Sequence, residues 1–111
     1  MLSVSASTGF APCPAPFNLA AHVLGRAADL GDKTALAIVG PDRVEAWRFD
    51  QLEAAVRGTA TGLLGIGLRP GDIVLMRLGN TVDFPLAYLG ALAAGLVPVP
   101  TAAALTKPEV A

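Results

Sequence analysis

The chain has 111 residues, 53% apolar, 5% aromatic and 15% charged, with a formal net charge of −1. That is the length of one domain, able to bury roughly two thirds of the surface its unfolded chain exposes. A near-neutral balance leaves no basic footprint, so no nucleic acid and no membrane surface is expected as a partner. With so few rings, the interior has to be built from Ala, Leu and Val. Cys13 is the only cysteine, which rules out an internal disulfide and a Cys-x-x-Cys pair; a reducing, cytoplasmic setting is the expectation.

Residues 1–16, MLSVSASTGFAPCPAP, lack the basic start and sustained apolar run of a secretory signal and read as a flexible N-terminal arm. Asn18 then caps a helix whose apolar positions Leu19, Val23, Ala27 and Leu30 recur at helical spacing, closed by Gly31. TALAIVG and RVEAWRF are two β-leaning runs joined around Pro41 and Asp42, a pair suited to a tight turn, and predict a hairpin. Asp50 and Glu53 resemble a capping box for a second helix, with Leu52, Val56, Ala60, Leu63 and Leu64 on its apolar face. Ala54, Gly58 and Gly62 form a small ridge on the same helix. Each glycine costs about 1 kcal/mol of helix propensity, so the ridge predicts a close approach to a neighbouring backbone.

Gly65, Gly67, Pro70 and Gly71 form a glycine cluster that superficially resembles a phosphate loop. Such a loop follows a strand and opens a helix, so that backbone N–H groups face the phosphate. Here the order is reversed, and the glycines read as a helix end and a turn. DIVLMRLG, residues 72–79, is too continuously apolar for a strand wetted on one face and predicts an inner parallel strand covered on both. The next helix has Asn80, Thr81 or Asp83 as competing caps and Pro85 in its first turn, before LVPVP, residues 96–100, forms a proline-marked edge strand. Phe84 to Pro100 is uncharged over 17 residues, yet its prolines favour a buried helix and strand over a membrane span. The strand, helix and strand form one βαβ unit, expected to be right-handed.

Few residues could carry chemistry. His22 is the only histidine and falls outside the predicted core stripe; Cys13 sits between prolines without an electropositive niche. Asp29 and Asp32 flank Gly31 in a wet turn, where capping and solubility account for them. Trp47 and Arg48 could stack a ligand, although a tryptophan on a strand is ordinarily a core anchor. Asn80 lies just past the carboxyl end of the predicted central strand, where open α/β sheets bind ligands, but serves equally as a helix cap.

The order of these motifs resembles the start of an AMP-forming acyl-CoA synthetase of the adenylate-forming superfamily, over Phe17 to Ala111. Trp47, Arg48, Phe49 and Leu52 fall where that family has its first core motif, T-Y-x-E-L. Gly90 to Pro100 is similar to the second, L-K-A-G-x-x-x-V-P, with Ala94 and Gly95 matching and Pro98 as its proline. Leu68 to Asn80 matches L-x-P-G-D-x-V-x-x-x-L-x-N, and Leu105 to Glu109 resembles L-T-x-x-E. The resemblance implies a parent that activates a carboxylic acid with ATP and Mg2+ to an acyl adenylate and passes the acyl group to coenzyme A. It also implies that residues 17–111 are an incomplete N-terminal subdomain: a helix, a hairpin, a helix and a βαβ unit of the large α/β N-terminal domain.

The family's phosphate loop, adenine segment, ribose-binding aspartate and C-terminal lysine have no counterpart here, and Lys33 and Lys107 are solitary. No catalytic, cofactor-binding or metal residue is therefore assigned, and the chain alone is expected to be inactive. Its expected partner is the remainder of a ligase chain, with a homodimer through exposed apolar surface as a substitute. The alternative expectation is a stand-alone, non-catalytic α/β binding or interaction module.

Overall fold

A computed structural model describes Gly9, Pro12, residues 14–102, Ala104 and Pro108. The elements run α1 (Leu19–Leu24), β1 (Thr34–Val39), β2 (Val44–Arg48), α2 (Phe49–Gly65), β3 (Ile73–Arg77), α3 (Asp83–Ala93) and β4 (Val97–Thr101). Cys13, Lys107 and most of the arm lie outside the described residues. The antiparallel β1–β2 hairpin and the parallel β3–β4 pair form two separate two-stranded sheets. The architecture is the mixed α/β one expected from the sequence.

The first helix is shorter than its apolar spacing suggests. Asn18 does cap it, its Oδ1 accepting from the Ala21 amide at 3.1 Å, but the helix ends at Leu24 with Gly25 as its cap. Glycine loses more backbone freedom than any other residue in a helix, and the chain continues instead in turns closed by Ala27 N to Leu24 O and Asp29 N to Arg26 O. The buried positions are Ala20, Leu24 and Ala27, whereas Leu19 and Val23 of the expected stripe are nearly half exposed. The inward stripe, Ala20 and Leu24, is one residue out of step with the expected Leu19 and Val23, because the contact of α1 with α3 sets which face turns inward.

The hairpin forms as expected, with Gly40 N donating to Arg43 O across the Pro41–Asp42 turn and an irregularity between Thr34 and Leu36. α2 begins one residue before the proposed Asp50–Glu53 box. Gln51 Oε1 accepts from the Arg48 amide at 2.9 Å, which is half of a box; the guanidinium of Arg48 has no acceptor to complete it. Asp50 places a carboxylate in the first turn, where the helix dipole favours it. On the inward face Leu52 and Val56 are buried, joined by half-buried Ala60 and Leu63, while Leu64 is exposed.

Two small nuclei make the core. Leu24, Leu52 and Val56 gather Ala35, Leu36, Leu86 and Leu89. Ala91, Ala94 and Leu96 gather Ala60, Leu63, Leu68 and Val74. The helices α2 and α3 run through both, and their close approach is made by a glycine other than those expected. A Cβ on Gly58 or Gly62 would meet nothing within 4 Å, whereas one on Gly90 would stand 2.5 Å from Thr59 Cγ2 and 2.7 Å from Thr59 Cβ. The Ala54–Gly58–Gly62 ridge faces outward instead.

The C-terminus of α3 is a Schellman motif: Leu96 N reaches Ala91 O at 2.9 Å and Gly95 N reaches Leu92 O at 3.0 Å, with Gly95 at φ 78°. Asn18 Nδ2 donates to the same Leu92 carbonyl at 2.7 Å, so one side chain both caps α1 and pins it to the end of α3.

β3 is not covered on both faces. Val74 and Met76 face the helices, but Ile73 and Leu75 are 67% and 55% exposed, and their β4 partners Val97 and Val99 are 46% and 37% exposed. The strand has the composition of an inner strand and only one of its two covers.

Candidate functional site

Open α/β sheets bind ligands past the carboxyl ends of their strands, so the β3–α3 loop comes first. Asn80 lies there and is exposed. Neither Asn80, Thr81 nor Asp83 caps α3; its N-cap is Val82, in helical conformation and without a side-chain bond. The first turn is poorly equipped to hold an anion. Pro85 has no N–H, the Phe84 amide is spent on Thr81 O at 3.2 Å, and Asp83 puts a carboxylate where a phosphate would sit. Close by, Thr101 Oγ1 donates to Met76 O at 2.8 Å and ties the ends of the two strands together, a bond no sequence pattern announced.

The glycine cluster is turn chemistry, as its place in the chain implied. Gly67, at φ 105°, receives α2, with its amide on Leu64 O at 3.1 Å. Gly71, at φ 93°, donates to Gly95 O at 2.9 Å and leads directly into β3. Neither opens a helix, and a Cβ on either would meet nothing within 4 Å, so they do not form a cradle that fits a triphosphate.

The other singled-out residues stand apart. His22 is exposed, its ring tilted 48° against Phe17 at 5.4 Å. Asp29 and Asp32 are exposed in the turn after α1. Trp47 is half-buried, and its indole donates to Glu45 Oε1 at 3.0 Å. Arg48 forms an ion pair with Asp50, Nε to Oδ1 at 3.0 Å. That hydrogen bond raises the arginine's pKa and, from the other side, holds the Asp50 carboxyl below its ordinary range.

A cleft of about 540 Å³ opens between α1 and α2, walled by Ala20, Ala21, Leu24, Val56 and Ala60. Its ionisable residues are Glu53 and Arg57, which face each other across one helical turn at 2.9 Å and so leave no unpaired charge for a ligand. Among the described residues there is no cluster of side chains able to hold a metal ion, and no helix is long and apolar enough to cross a membrane. The described residues do not form a site that fits ATP, Mg2+ or coenzyme A.

Geometry thus supplies a scaffold, and comparison supplies its kin. The sequence profile of the AMP-binding enzyme family matches residues 25–111, and the chain belongs to that family. Benzoate–CoA ligase of Thauera aromatica is 32% identical over 99 residues, a match covering 86% of this chain and 18% of the relative. 4-Coumarate–CoA ligase of Pinus taeda is 31% identical over 90 residues, covering 81% of this chain and 16% of that enzyme. The solved benzoate CoA ligase from Burkholderia xenovorans LB400 superposes with a TM-score of 0.71 at 33% identity, over 81% of this chain and 18% of that one. The chain therefore spans less than a fifth of the relatives it matches.

Proposed function

We propose that the chain is the N-terminal portion of an acid–CoA ligase whose whole activates a carboxylic acid with ATP and Mg2+ and transfers the acyl group to coenzyme A. The observation that supports this most is the family match over residues 25–111, together with kin that are CoA ligases. In this reading the chain contributes scaffold. Adenylation has to stabilise charge developing on transferring phosphate oxygens, which takes positioned cations and backbone donors. Among the described residues Arg57 is paired with Glu53 and Arg48 with Asp50, and the first turn of α3 carries Asp83. The chain alone is accordingly inactive.

Acid-dependent ATP–pyrophosphate exchange tests this directly. The purified chain, given benzoate, 4-coumarate, acetoacetate and a fatty acid in turn, is expected to show only the background of a no-protein control. Exchange that scales with protein and requires an acid would show that the ATP machinery lies within these residues.

A further inference from the structure

We draw no further inference here: the strongest candidate, the apolar cleft of about 540 Å³ between α1 and α2, pairs its own charged residues Glu53 and Arg57 with each other, and nothing in the structure shows what covers it.

Discussion

Gly90 is the point where the packing of α2 on α3 is most exacting, and replacing it with alanine tests that packing quantitatively. The added Cβ would stand 2.5 Å from Thr59 Cγ2 and 2.7 Å from Thr59 Cβ, against ordinary contact beginning near 3.4 Å, so the helices have to part by roughly 0.9 Å. Thr59 cannot yield by rotating: its Cβ is fixed to the backbone, and its hydroxyl is already bonded to Ala55 O at 2.9 Å. Overpacking of this kind costs about 1–3 kcal/mol, and the obstructing atom's fixity places Gly90→Ala at the upper end. Alanine returns about 1 kcal/mol through its better helix propensity. The net expectation is a loss of about 1–2 kcal/mol, read as a fall of about 1 M in the urea midpoint followed by circular dichroism. In a Thr59→Gly background the clash is gone and only the propensity gain remains, so the same substitution should stabilise by about 1 kcal/mol. A Gly90→Ala protein as stable as the parent, or one equally destabilised in both backgrounds, would refute the reasoning.

Asn18→Ala removes both the α1 cap and the donor to Leu92 O and should cost about 1–2 kcal/mol, whereas Asn18→Asp, which keeps the acceptor, should fall between it and the parent in urea melts. An Asn18→Asp protein as stable as the parent would show that the long-range bond contributes nothing, and equal losses for the two variants would show the same of the cap. Gly95→Ala forces a side chain into a left-handed conformation at φ 78° with Pro70 Cβ 3.3 Å away, and should cost about 1–2 kcal/mol, again read from the urea midpoint. For Asp50 the folded pKa is depressed, so its stabilising contribution is present above the unfolded carboxylate pKa and is lost as pH falls through the lower folded value. Arg48→Gln should move the Asp50 carboxyl titration, followed by NMR, upward towards the ordinary range, and an unmoved titration would show that the ion pair does not form in solution.

The strands and helices of this fold could be anticipated from sequence because each carries local chemistry: Pro41 and Asp42 at the hairpin turn, glycines with positive φ after α2 and α3, a period-driven apolar face on α2. Where expectation and structure part, the usual cause is that a local pattern suits a covered position and none of the described residues covers it. Ile73 and Leu75 belong to a strand with the composition of an inner one, and the face they present lies open. The outward Ala54–Gly58–Gly62 ridge is smooth enough for a close neighbour, and none of the described residues supplies it. The α1 stripe failed for a different reason. Leu19, Val23, Ala27 and Ala20, Leu24, Ala27 fit helical spacing about equally, and only the tertiary contact of α1 with α3 decides between them.

The candidate site was legible mainly in its negative parts. Chain order alone disqualified the glycine cluster as a phosphate loop, and the structure agrees through Gly67 and Gly71. Asn80 was a reasonable candidate by position. What sequence could not reveal is that Val82, rather than a polar residue, caps α3, and that Phe84 already donates to Thr81 O.

The central claim is that these residues form ligase scaffold without a nucleotide site, and the most direct test is an NMR titration of the isotopically labelled chain with ATP and Mg2+. The account predicts no saturable shift in the amides of Gly65–Gly71 or of Asn80–Leu86. Saturable shifts confined to either segment, abolished by pyrophosphate competition, would place a phosphate site within the chain and contradict it.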